Sequence, residues 1–152
     1  MLRDEISGAL KSSMKEKDQV AVSTLRLIQA AIKDRDIAAR SKGVDDGISD
    51  EEILQVLQTM VRQRHDSIEM YTKGNRDELA EREAQEIEVI QAFMPRQLDD
   101  AEMEAAIDHV VEATGAVSIK DMGKAMGALR ERYAGQMDFG KAGAALKARL
   151  AG

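Results

Sequence analysis

The side chains that could do chemistry in this chain are two histidines, scattered serines and threonines, and several adjacent carboxylates. His65 and His109 lack the H-x-x-x-H or H-E-x-x-H spacing that sets two ligands on one helix face, and a sequence without cysteine would have to recruit carboxylates from distant turns to hold zinc. They read as helix-surface histidines. Ser12, Ser13, Ser23 and Thr24 fall in helical stripes, and no G-x-S-x-G elbow is present to lift a hydroxyl out of a strand-to-helix turn, so no serine nucleophile is expected. Glu51/Glu52 and Asp99/Asp100 stand at helix starts, where negative charge offsets the positive end of the helix dipole. GKAMG, residues 123–127, follows a helix start rather than a strand and so is not a phosphate-binding loop. These residues predict no catalytic group, no metal site and no cofactor.

One stretch departs from this plain pattern. SIKDMGKAMGALRERY, residues 118–133, has the periodicity of an amphipathic helix, yet it holds Gly123 and Gly127, each costing about 1 kcal/mol relative to alanine inside a helix. At 100° per residue, Ile119, Met122, Met126, Leu129 and Tyr133 form the expected core stripe. Lys120, Gly123, Lys124 and Gly127, with Arg130 at the margin, fall on a separate face. A helix face without side chains lets another backbone come close. The flanking cations make a phosphate chain one candidate for that approach. Close packing against the small residues of the last helix, Gly140, Gly143, Ala144 and Ala145, is the other.

The elements that must position this face are helical throughout, because Ala, Leu, Met, Glu, Gln, Lys and Arg recur at helical spacing and no alternating β-branched run occurs. Leu2, Ile6, Ala9/Leu10 and Met14 mark a first helix, and Val22, Leu25, Ile28/Gln29 and Ile32 a second that fades near Arg40. SKGVDDGIS, residues 41–49, reads as a polar loop. Ser49 with Glu52 is a capping box for a third helix, whose inward side is Ile53, Val56, Leu57, Met60, Val61, Arg64 and Ile68, with Gly74 after its end. Asn75 with Glu78 repeats the pattern for a fourth, carrying Leu79, Ile87, Ile90 and Met94.

Pro95 is the single proline. It cannot continue a helix, so FMPRQL, residues 93–98, is the expected break between domains 1–94 and 95–152. Beyond it, Asp99 with Glu102 opens a helix bearing Met103, Ile107, Val110 and Val111 that Gly115 closes. Ser118 opens the glycine helix, which ends at Gly135, and Asp138 opens a last helix with Phe139, Ala142, Leu146 and Leu150. The expected fold is all-α: an N-terminal four-helix bundle-like unit followed by a small three-helix C-terminal domain.

Composition sets the class of partner. With 43% hydrophobic and 33% charged residues the chain reads as globular, and without a long apolar run or a basic-then-apolar leader no membrane span is expected and the default location is cytoplasmic. Aromatic residues make up 3% of the chain and Trp is absent, so stacking on nucleobases is poorly provided for. The net charge of −6 is unevenly spread: residues 118–152 hold seven basic against three acidic residues, a net +4 that leaves −10 for the other 117. Glu78, Glu81, Glu83, Glu86 and Glu88 read as a solvated helix face, with a protein-interaction face as the alternative.

Taken in order, LRLIQAAIK, SDEEILQVLQTMVRQRHDSIEMY, GNRDELAEREAQEIEVI, FMPRQL and SIKDMGKAMG resemble the YqeY-like proteins, relatives of the C-terminal region of the GatB subunit of tRNA-dependent amidotransferases. The resemblance covers essentially the whole chain. It implies a helical N-terminal part and a three-helix tail of the kind that helps GatB hold tRNA, with ligase chemistry left to other domains that have no match here. It also implies that the family's lysine and glycine pattern falls on Lys120, Gly123, Lys124 and Gly127; after Gly127, ALRER is more charged than the family's ending. The expected function is a non-catalytic module binding tRNA or another structured RNA, or assisting a tRNA-dependent amidotransferase. A protein–protein adaptor docking through the acidic N-terminal part is the alternative. A glutamine-using carbon–nitrogen ligase in its own right would lack a visible nucleophile, metal cluster or nucleotide cradle.

Overall fold

A computed structural model describes residues 1–151, and among them every regular element is helical: seven α-helices and one 3-10 turn. The chain divides into two compact units, Met1–Met94 and Pro95–Gly152.

The first unit holds α1 (Leu2–Glu16), α2 (Gln19–Arg40), α3 (Asp50–Lys73) and α4 (Asp77–Gln91). The third-helix stripe buries as its spacing requires, with Ile53, Val56, Leu57, Met60 and Val61 meeting Ile6, Leu25, Ile28, Ile32, Ile87 and Ile90 in one core. Asp18 caps α2 by accepting from the Ala21 amide at 3.1 Å, and Ser49 caps α3 by accepting from Glu52 at 3.2 Å. Thr24 is fully buried and donates to the Val20 carbonyl at 2.8 Å, so its hydroxyl is satisfied within the helix rather than poised for attack.

Two expectations for this unit are corrected. Asn75 does not cap the fourth helix: it adopts a left-handed φ of 56° in the turn after α3, and α4 begins two residues later with no side-chain cap. The 41–49 segment is the expected loop, and within it Ile48 is buried and held by a polar clasp. Arg3 grips Asp36 at 2.8 and 3.0 Å, Asp36 accepts from the Ile48 amide at 2.9 Å, and Arg3 donates to the Ile48 carbonyl at 3.3 Å. The Arg3 guanidinium, opposed by burial and aided by the Ile48 amide, holds the Asp36 carboxyl below its ordinary value.

The second correction concerns the acidic run on α4, which is only partly a solvated face. Glu86 accepts from Arg64 at 3.1 Å and Glu83 lies 3.9 Å from the same guanidinium, with all three side chains largely buried. Arg82 adds a 3.5 Å contact to Glu86 and reaches Ser23 of α2 at 3.0 Å. Burial, and then the neighbouring Glu86 charge, push the Glu83 carboxyl above its ordinary value. Glu78, Glu81 and Glu88 remain exposed.

The second unit holds α5 (Asp100–Thr114), a 3-10 turn (Ile119–Asp121), α6 (Met122–Arg132) and α7 (Phe139–Ala151). Met103, Ala106, Ile107, Val110, Ala125, Leu129, Met137, Ala142 and Leu146 form its core. Asp99 and Glu102 make the expected reciprocal capping box, and Gly115 ends α5 with φ 67°, which glycine adopts without a Cβ penalty. The stretch after Pro95 is pinned to the α6–α7 connection, since the Leu98 amide donates to the Gln136 carbonyl at 2.8 Å and Gln97 Nε2 to the Gly135 carbonyl at 2.6 Å.

Candidate nucleic-acid interface

The glycine helix starts later than its sequence suggests. The Asp121 amide donates to the Ser118 carbonyl at 2.9 Å, closing a 3-10 turn before α6 begins at Met122, and its carboxylate turns back to accept from the Val117 amide at 2.9 Å and the Ser118 amide at 3.2 Å. Those two amides, with Lys124 nearby, hold the Asp121 carboxyl below its ordinary value.

Two small revisions to the core stripe follow. Ile119 stands 49% exposed on the 3-10 turn, whereas Ala125 and Leu129 are the fully buried anchors of α6, with Met122, Met126 and Tyr133 packed partly around them. Ala125 escaped notice because a methyl group gives little periodic signal.

Lys120, Gly123, Lys124, Gly127 and Arg130 are all exposed. A Cβ built on Gly123 or Gly127 meets nothing within 4 Å among the described residues, so neither α5 nor α7 fills the space that the glycines leave. The close helix contact lies elsewhere: a Cβ on Gly143 of α7 would stand 3.7 Å from Met126 Cε and 3.8 Å from its Sδ. Packing against α7 therefore does not account for the two glycines of α6. The helical advance also sets Glu131 on this side, between the directions of Lys124 and Gly127 and a turn farther on, so the positive end is the N-terminal one.

The basic residues of this unit fall into two groups. Lys141 pairs with Asp100 at 3.1 Å, Arg149 with Asp108, and Arg96 with Glu102 at 2.5 Å. The Arg96 guanidinium, with the Asp99 amide second, lowers the Glu102 carboxyl to about 2. Among the described residues, Lys120, Arg130, Arg132 and Lys147 have no ion pair within 4.0 Å, and Lys124 has only the field of Asp121. Three residues before Lys120 the apolar Val117 is 84% exposed. An exposed surface of unpaired cations around bare backbone can accept phosphate oxygens at close range, and no base-stacking ring lies on it.

Among the described residues, no group of three or more His, Cys, Asp or Glu side chains is placed to hold a metal ion, and no helix is long and apolar enough to cross a membrane. His65 and His109 are exposed.

The family model for the YqeY-like proteins matches residues 3–150. The chain belongs to the YqeY-like family. It is similar to altered inheritance of mitochondria protein 41, mitochondrial, of Vanderwaltozyma polyspora, at 30% identity over 120 residues, which is 74% of this chain and 62% of that protein. The Lachancea thermotolerans protein of the same name is 30% identical over 118 residues, 74% of this chain and 61% of its own length. The Candida glabrata one is 35% identical over 95 residues, 60% of this chain and 50% of its own. This YqeY-like chain thus spans between about half and three-fifths of the length of these relatives. Their names place them in mitochondria, which overturns the cytoplasmic expectation. That expectation treated missing segments as an address, and neither the fold nor the core composition encodes a compartment.

Proposed function

We propose that this YqeY-like chain is a non-catalytic helical module that binds tRNA or another structured RNA through the α6 face, in the service of a tRNA-dependent amidotransferase. In this reading α1–α4 form a four-helix bundle-like part and α5–α7 a tail like that of GatB. The observation that carries it is the empty space over Gly123 and Gly127, flanked by Lys120, Lys124 and Arg130 on an exposed surface. Recognition would then rest on phosphate contacts and shape, which suits a surface poor in aromatic residues.

Binding of unfractionated tRNA at low and moderate salt, by the wild-type chain and by Lys120→Glu/Lys124→Glu, tests it. Wild-type binding that weakens with salt and is lost in the variant supports the reading. Absent wild-type binding at low salt, or equal binding by both, refutes it.

A protein adaptor is the second reading, favoured by the exposed Glu78, Glu81 and Glu88 on α4 and by Met70, 74% exposed on α3. A partner kept from nuclease-treated lysate by the wild type and lost on Glu78→Lys/Glu81→Lys substitution would favour it.

A further inference from the structure

α2 carries a charged face that the core of the first unit does not use. Arg26, Lys33 and Arg40 lie seven residues apart and drift only about 20° per step, so they form a nearly straight row with roughly 10 Å of helix rise between neighbours and roughly 20 Å from end to end. The same construction turns the row about 120° away from the buried line of Ala21, Thr24, Leu25, Ile28 and Ile32. All three cations are exposed, and among the described residues neither Arg26 nor Lys33 has a hydrogen bond or ion pair.

The acidic residues of α2 do not neutralise this row. Asp36 is already engaged by Arg3 and the Ile48 amide, with the Arg40 charge acting on it only at a distance. Asp34 falls about 100° around the helix from the row. A groove between α1 and α2 runs beside Lys33, lined also by Arg3, Ser7, Gln29 and Asp36, with Gln29 Nε2 donating to Ser7 Oγ at 3.4 Å. This cationic face belongs to a unit whose acidic residues outnumber its basic ones, which is why the overall charge conceals it.

We propose that the Arg26–Lys33–Arg40 row is a second phosphate-contacting surface of the chain and that it takes the backbone of a double-helical RNA segment, an inference that rests on the RNA reading of the α6 face. A rigid helix holds the three charges at fixed intervals, and a duplex holds its phosphates equally fixed, so the two meet without the ordering cost that a single strand or an acidic tail would pay. No ring lies on α2 to stack an unpaired base, because the four aromatic residues, Tyr71, Phe93, Tyr133 and Phe139, stand on other segments. Ile37, next to Lys33 on the helix surface, is the one large exposed apolar side chain at the row, too little for the buried centre of a protein interface.

The test is a salt titration of unfractionated tRNA binding to the full chain between about 50 and about 200 mM salt, with Arg26→Gln/Lys33→Gln/Arg40→Gln compared with wild type. Loss of three phosphate contacts should lower the slope of log affinity against log salt by about two to three and weaken low-salt binding at least about tenfold. Lys17→Gln/Lys73→Gln/Arg76→Gln removes the same charge elsewhere in the unit and should leave both quantities near wild type. A row variant with wild-type slope and affinity, while Lys120→Glu/Lys124→Glu has lost binding, overturns the second surface and leaves the α6 reading standing. Absent wild-type binding overturns both. Poly-glutamate binding as tightly as tRNA, and lost in the same row variant, would assign the row to an acidic protein partner and overturn the RNA assignment.

Discussion

Gly47 and the pair Gly123/Gly127 show how differently one residue type is used in the two units. Gly47 sits at φ 90° in the loop before α3, and a Cβ there would stand 2.8 Å from Arg3 Nη2, inside the Arg3–Asp36–Ile48 clasp. Gly123 and Gly127 lie in a regular helix with open space above them. The first glycine is demanded by conformation and crowding, whereas the other two forgo helix stability without a packing reason. Charges divide in a related way: Arg3 and Arg64 are locked into half-buried pairs that hold helices together, while Lys120 and Arg130 face solvent. Stability explains the first set and gives no reason for the second.

The largest effect expected on the structural side of this contrast comes from Arg64→Ala. It removes the nearer guanidinium from Glu86 and Glu83 in a poorly solvated site, leaving only the more exposed Arg82, and should cost about 2–4 kcal/mol, read by urea unfolding of the full chain. Adding Glu86→Gln should recover part of the loss. Gly47→Ala should destabilise by about 1–2 kcal/mol by the same measurement, from its left-handed backbone and the contact with Arg3. Gly123→Ala and Gly127→Ala carry the opposite sign: each should stabilise by about 0.5–1 kcal/mol while weakening RNA binding. A loss of stability at either would return these glycines to a packing role.

The smallest effects are in pH. The folded Glu102 carboxyl lies below its unfolded value, so its contribution is present above the ordinary carboxylate range and is lost as pH falls toward about 2. Glu83 is raised, so its contribution is present below its unfolded value and disappears as pH rises through the folded one. Carboxyl NMR titration of the two residues should show shifts of opposite sign.

Much of the helical order was legible because helix starts and stops are local chemistry. Ser49, Asp99 and Gly115 each act on amides or carbonyls within a few residues. Asn75 misled for the same reason, since a cap and a left-handed turn residue share a composition and differ only in what precedes them. The clasp around Ile48 and the Arg64–Glu86 pair join residues 12 to 45 apart, and no local pattern announces which of many carboxylates an arginine will meet. The α6 face was legible as a pattern. That no described atom comes within 4 Å of a Cβ built on Gly123 or Gly127 was not, because this depends on where α5 and α7 pass.

Amide NMR of the full chain during titration with unfractionated tRNA tests the central claim most directly. The account predicts that the amides of Lys120, Gly123, Lys124 and Gly127 shift first and furthest and that added salt reverses the shifts. Binding that leaves those four amides unmoved while α3 or α4 responds would contradict it.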